Sequence, residues 1–263
     1  MGVTQVLTNP TIEHLKELNL SGMLEAYSRQ LELPENIVLT FEERFSLIVD
    51  YEWNKRRTNY LNKLIKQACF HEEALLEDVI KTEKRRYNKS LYQTLCTTDW
   101  IEQGLNLVIT GPTGVGKSYF AQAFGYMACR RGQTVRYYRT SELMDLLSAA
   151  KTEGTFQKIL RQLQKCTLLI LDDWGLNKFN VSETIALTDM VDERNLKKSI
   201  IVVSQIPSET WGEVLSDDTR ADAIMDRVLK NSYHFELEGP SFRGIEAKKR
   251  MEAAKVIDES SIK

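Results

Sequence analysis

GPTGVGKS, residues 111–118, satisfies the spacing G-x-x-x-x-G-K-S at every position. The apolar run LNLVIT (105–110) precedes it and a helical stretch follows, the strand–loop–helix setting in which this pattern cradles phosphates. Gly111, Gly114 and Gly116 free the backbone to turn tightly and aim its N–H groups at phosphate oxygens. The helix N-terminus adds partial positive charge. Lys117 supplies a mobile point charge for the outer phosphates, and Ser118 offers a hydroxyl to magnesium. Pro112, Thr113, Val115 and Tyr119 complete the loop and its exit. Residues 111–119 are therefore the expected nucleotide contacts, with ATP and Mg2+ as the expected cofactors.

Downstream, TLLILDDWG (167–175) runs four apolar residues into two adjacent carboxylates, Asp172 and Asp173. A charge at the end of a buried strand needs a compensating partner. Beside a phosphate-binding loop that partner is a magnesium ion shared with the nucleotide, which gives Asp172 the metal-holding role. Asp173 is then placed to orient or activate the attacking water, and the expected activity is ATP hydrolysis.

Working outward, short apolar runs alternate with helical stretches. LNLVIT leads to a helix from Gly116 to about Arg131, then TVRYYR and helices through Lys165. TLLIL, a helix near 182–197, SIIVVS, a further helix and YHFEL complete the series. This alternation predicts an α/β core, a mostly parallel sheet between helices. The first 70 residues have helical periodicity only: Leu20, Met23, Tyr27 and Leu31 recur at helical spacing, and Pro34 closes that segment. Thr40 and Glu43 form a capping-box pattern that opens a long helix with Phe41, Phe45 and Ile48 on its apolar face. The expected organisation is a helical N-terminal domain (1–70), a linker (71–104), the core (105–245) and a charged tail (246–263).

Composition excludes little. The 263 residues are 42% hydrophobic and 27% charged with net charge −2, which leaves room for a nucleic-acid ligand bound by a local patch. Four dispersed cysteines without a C-x-x-C pair and three scattered histidines argue against a disulfide framework or a metal cluster. MGVTQVLTNP lacks the features of a signal peptide, and no apolar run approaches the roughly 18 residues of a membrane span. A cytoplasmic protein with no membrane partner is expected.

A basic stretch lies within the helical region. KRRTNYLNKLIK (55–66) places Arg56, Asn59, Lys63 and Lys66 along one helix face and Trp53, Leu61, Leu64, Ile65 and Ala68 on the other side. No acid occurs between Trp53 and Phe70. Lys55, Arg56, Arg57, Lys63 and Lys66 are candidate contacts to DNA phosphates, giving shape and backbone recognition without base readout. Lys81, Lys84, Arg85, Arg86 and Lys89 form a second basic group, which either lines a DNA path or docks the helical region on the core.

The four stretches DWIEQGLNLVITGPTGVGKSYFA, LLILDDWG, SIIVVSQIP and ADAIMDRVLKNSYHFELEGPSFR, in this order, resemble the AAA+ ATPases. The chain is most similar to the IstB family of insertion-sequence helper ATPases, relatives of the DnaC-type helicase loaders, over roughly residues 90–245. The resemblance implies a homo-oligomer on duplex DNA serving a transposase of the IstA kind, with hydrolysis resetting the assembly. It implies that Gln205 is a polar sensor near the terminal phosphate. It gives Arg227 the role of an arginine finger acting in trans, with Arg220 as a second candidate and Arg243 as a possible second sensor. The helical lid of larger relatives looks truncated or absent. Asp173 departs from the commoner Glu and implies slow or partner-stimulated turnover. A replicative helicase loader is the alternative reading. A small-molecule kinase would need a second-substrate pocket and an arginine-bearing lid, for which no segment stands out. The adenine pocket is expected around residues 87–104.

Overall fold

The computed structural model describes residues 10–32, 39–80 and 86–242. The chain divides into two compact units, Met1–Lys63 and Leu64–Lys263. Pro34, Lys81, Lys84, Arg85, Arg243 and the 246–263 tail lie outside the described residues.

In the first unit, α1 (Pro10–Glu17) and α2 (Ser21–Leu31) precede the long α3 (Phe41–Ala68). The capping box opens α3 as expected: Thr40 N–H donates to Glu43 Oε2 at 2.8 Å and Glu43 N–H to Thr40 Oγ1 at 3.2 Å. The expected apolar face is not buried. Phe41 and Phe45 stack on each other at 5.9 Å yet stay 76% and 53% exposed. The reason is where α2 meets α3: Gln30 bonds Arg44, Glu25 bonds Tyr51 and Lys55, and Gly22 bonds Glu52, all beyond Phe41.

Glu52 holds this packing together. α2 has Leu20 at its N-cap, which offers no side-chain oxygen. The Glu52 carboxylate substitutes from across the interface, accepting from Gly22 N–H at 2.6 Å and Met23 N–H at 3.0 Å. Negative charge at a helix N-terminus is favourable. Gly22 lets α3 come this close, because a Cβ there would stand 2.7 Å from the Glu52 backbone. Burial pushes the Glu52 carboxyl up, but hydrogen bonds from Arg56, Met23 and Gly22 outweigh it and hold it below the usual range. A carboxyl lowered by folding stabilises above its unfolded pKa, and that contribution is lost as pH falls through the folded value. Glu52→Gln should cost about 1–3 kcal/mol in this unit. It should also flatten the acid limb of a Trp53 fluorescence titration; an unchanged limb would refute the capping role.

The second unit begins within α3 and continues through α4 (Leu76–Ile80), α5 (Lys89–Cys96) and α6 (Asp99–Glu102) to β1 (Asn106–Thr110). Then follow α7 (Lys117–Arg130), β2 (Val135–Arg139), α8 (Thr140–Thr152), α9 (Phe156–Lys165) and β3 (Leu168–Trp174). α10 (Val181–Arg194), β4 (Ser199–Ser204), a 3-10 helix (Ser208–Val214), α11 (Asp218–Leu229) and β5 (Ser232–Glu236) complete it. The five strands form one parallel sheet in the order β2-β3-β4-β1-β5. Leu143, Leu147, Leu163, Leu171, Leu187 and Val202 belong to one core cluster. Tyr87, Tyr92, Phe120, Phe124 and Phe235 form an aromatic cluster with centroids 5.3–6.5 Å apart. The buried α10 residue Arg194 donates to the carbonyls of Leu163, Cys166, Thr167 and Ser199 at 2.5–3.3 Å, fastening the N-terminal ends of β3 and β4. Among the described residues no helix is long and apolar enough to cross a membrane.

Candidate nucleotide-binding site

The carboxyl ends of β1, β3 and β4 converge on one cavity of about 520 Å3. Lys117, Ser118, Tyr119, Asp172, Asp173 and Gln205 all line it. The phosphate loop leaves β1 through Gly111 (φ 141°), where any Cβ would strike the Leu237 carbonyl. Leu237 N–H donates to Thr110 O at 2.9 Å and Phe242 N–H to Gly114 O at 2.9 Å, so the chain beyond β5 braces the loop. Val115 is the buried anchor of the loop, while Pro112 and Thr113 stand exposed. Lys117 Nζ donates to the carbonyls of Gly111 at 2.8 Å and Pro112 at 3.0 Å, which keeps the ammonium over the loop. Thr113 Oγ1 donates to Gln205 Oε1 at 2.6 Å and ties the loop to the end of β4.

Adjacent residues of a strand point to opposite faces, so Asp172 and Asp173 should diverge. A β-bulge brings them together. β3 advances three residues, Leu171 to Trp174, while β4 advances two, Val202 to Ser204. The extra residue puts Asp173 at φ 57°, a left-handed backbone that short polar side chains tolerate best. Both carboxylates then face the cavity, and Trp174 turns into the core against Phe179 and Trp211 at 5.0 and 5.4 Å.

Asp172 is buried and its carboxylate is held at both oxygens. Tyr137 Oη on β2 donates to Oδ2 at 2.6 Å, and Asp173 N–H donates to Oδ1 at 2.8 Å. Burial, then the Asp172 charge, push the Tyr137 hydroxyl far above its ordinary pKa, so it remains a donor. Arg139, at the end of β2, stands 3.9 Å from both Asp173 and Glu142 and also lines the cavity. Neither Tyr137 nor Arg139 stands out in the sequence; an aromatic hydroxyl and a terminal arginine on the strand expected at TVRYYR were the available signals.

The volume lies within the range of about 300–1,000 Å3 typical of small-molecule sites. Among the described residues no three metal-ligating side chains cluster. That suits magnesium, which is commonly held by one or two oxygen ligands plus substrate phosphates. Asp172 and Ser118, both on this cavity, fit that donor set.

Arg227, at the end of α11, does not line the cavity. Its Nε sits 2.5 Å from Asp192 Oδ1 on α10, and its Nη1 donates to Ala223 O at 2.9 Å. Asn106 Nδ2 on β1 donates to the carbonyls of Arg227 and Val228 at 3.1 and 3.2 Å and so sets the end of α11 relative to the sheet. Arg220 stands 3.9 Å from Asp217.

The basic helix divides its charges. Lys55 pairs with Glu25 at 3.1 Å and Arg56 with Glu52 at 2.5 Å, which spends them inside the first unit. Arg57 lies over the Trp53 ring at 5.0 Å, and Trp53 is 57% exposed instead of packed. Leu64 and Ala68 are buried, as the pattern requires. Lys63 and Lys66 are exposed and make no ion pair among the described residues. In the second basic group, Arg86 and Lys89 are exposed.

Comparison with known proteins gives a consistent picture. The family model described as IstB-like ATP binding protein matches residues 13–253. An insertion-sequence ATP-binding protein of Sinorhizobium fredii is 35% identical over 238 residues, covering 90% of this chain and 97% of that one. One of Pseudomonas fluorescens is 41% identical over 206 residues, covering 78% and 89%. Among solved structures, DnaI superposes with a TM-score of 0.55 at 18% identity, covering 67% of this chain and 94% of that one. AMPPCP-bound DnaA of Aquifex aeolicus superposes at 0.54 and 22%, covering 70% and 56%. These likenesses show the fold alone, a parallel α/β core shared with DnaI and DnaA.

Proposed function

The chain belongs to the family of IstB-like ATP binding proteins, and from that premise we propose that it is an ATP-driven assembly factor on duplex DNA that serves a transposase of the IstA kind. The observation that carries the reading is the convergence of Lys117, Ser118, Asp172, Asp173 and Gln205 on one cavity. Lys117 exchanges its loop carbonyls for the outer phosphates of ATP. Ser118 and Asp172 would hold magnesium, which would supply charge neutralisation to the phosphates. Asp173 orients a water for in-line attack, and Gln205 leaves Thr113 to bond the terminal phosphate. Arg227 is released from Asp192 and reaches the nucleotide of a neighbouring copy, so hydrolysis depends on assembly. Lys63, Lys66 and Arg57 are the charges left to meet the DNA backbone; Lys55 and Arg56 join them only if their ion pairs open.

Sedimentation with duplex or single-stranded DNA, each with ATP or ADP, tests the reading. Large assemblies are expected only with duplex and ATP. Arg227→Ala should still bind ATP but lose about a thousandfold or more in DNA-stimulated turnover. Preference for single strands would transfer the assignment to a helicase loader. A monomer under all four conditions would remove the trans-acting arginine and favour a kinase.

A further inference from the structure

We propose that Tyr137 is a positioning residue for the carboxylate that holds magnesium, and that His71 keeps Tyr137 in place. The inference rests on the reading of Asp172 given above. Tyr137 pairs in register with Ile170, so Asp172 is its diagonal neighbour on the sheet, two residues further along β3. From there its hydroxyl reaches Asp172 Oδ2 at 2.6 Å in a buried contact. The bond leaves the outward lone pairs of Asp172 for a metal or its waters and removes rotational freedom from the side chain. Groups of this kind, one bond behind a metal ligand, commonly account for about 10–100-fold in metal affinity.

The phenol is itself held. The His71 ring meets the Tyr137 ring edge-on at 5.1 Å. His71 is fixed through its backbone: the N–H groups of His71 and Glu72 both donate to Gln122 Oε1 on α7, at 2.7 and 3.2 Å. The same segment is clamped again at Leu75, whose N–H and carbonyl both bond the Tyr119 hydroxyl at 3.1 Å. Gly125 makes room for it, since a Cβ there would stand 2.8 Å from the Phe70 ring. His71, Tyr137 and Asp172 all line the nucleotide cavity. The segment that follows α3 therefore buttresses the metal carboxylate, and a displacement of that segment would be felt at Asp172 through Tyr137.

The test is equilibrium binding of a fluorescent ATP analogue to the full chain, titrated with Mg2+ and repeated in EDTA. Tyr137→Phe should raise the Mg2+ concentration for half-maximal binding by about tenfold or more, a larger factor than any change it makes to binding in EDTA. His71→Ala should shift the Mg2+ requirement in the same direction by a smaller factor, which keeps the idea open to test if Tyr137→Phe folds poorly. Asp172→Asn is the control. If Asp172→Asn raises the Mg2+ requirement while both other variants match the wild type, the positioning role is overturned and the metal reading stands. If none of the three changes it, the metal reading falls and the inference falls with it.

Discussion

Asp173→Asn is expected to lower ATP turnover by about a hundredfold to ten-thousandfold, the usual contribution of a positioned general base, while magnesium-dependent ATP binding stays within about twofold. Asparagine is the informative replacement because of the backbone. At φ 57° the residue occupies a left-handed conformation that Asn and Asp adopt with least strain. The bulge and the Asp172 contact from its N–H should therefore survive, leaving the loss of the carboxylate's basicity and of its pairing with Arg139. The same backbone bears on why Asp stands where Glu is commoner. A longer side chain gains nothing from left-handed geometry, and the bulge already delivers the carboxylate into the cavity. Asp173→Glu should thus lower thermal stability without raising turnover. Wild-type turnover in Asp173→Asn under DNA-stimulated conditions would remove Asp173 from the reaction.

Arg194→Leu is expected to destabilise the second unit by on the order of 4 kcal/mol, because each buried carbonyl left unpaired costs about 1–3 kcal/mol. This one guanidinium donates to four carbonyls, Leu163, Cys166 and Thr167 ahead of β3 and Ser199 at the start of β4. Leu163 O and Thr167 O also accept from Cys166 Sγ and Ser199 N–H, so the loss falls mainly on Cys166 and Ser199. Burial lowers the pKa of Arg194, yet a guanidinium stays charged at neutral pH. No carboxylate pairs with it among the described residues; backbone carbonyls and the Cys166 sulfur at 3.3 Å solvate its charge. Arg194→Lys should recover only part of the loss, since an ammonium cannot span the planar fan of acceptors. The measurement is the urea midpoint; a change under about 1 kcal/mol in Arg194→Leu would show that the carbonyls find other partners.

Much of the nucleotide site was legible in the sequence because it is local. The phosphate loop is eight consecutive residues between a strand and a helix, and the β1 and α7 boundaries follow within a residue or two. The alternation of strands and helices likewise carried the parallel sheet. The less visible features are non-local. Nothing in LLILDDWG announces an inserted residue, so the shared orientation of the two acids depends on β4 running alongside. Tyr137 and His71 reach the site from a neighbouring strand and from a preceding segment, where spacing offers no guide. The α3 charges were partly readable: Glu52 and Arg56 stand four apart, the spacing of a helix ion pair. Phe41, Phe45 and Trp53 failed as packing residues because periodicity marks an apolar stripe without saying whether an element covers it.

The position of β1 has a consequence for how the chain acquires its activity. β1 enters the sheet between β4 and β5, so the strand that launches the phosphate loop waits for partners made much later: Leu107 pairs with Ile201 and Tyr233. Pairings between such distant segments form slowly, because loop closure must precede any gain in contacts. During synthesis the glycine-rich turn leaves the ribosome long before Leu237 and Phe242 can brace it. Nucleotide affinity should therefore arise only after β5 and the segment through Phe242 have been made, and a nascent chain arrested before β5 should have none. ATP capture would then mark a chain whose sheet has been closed by β5, and copies terminated before that strand would be unable to hold the nucleotide.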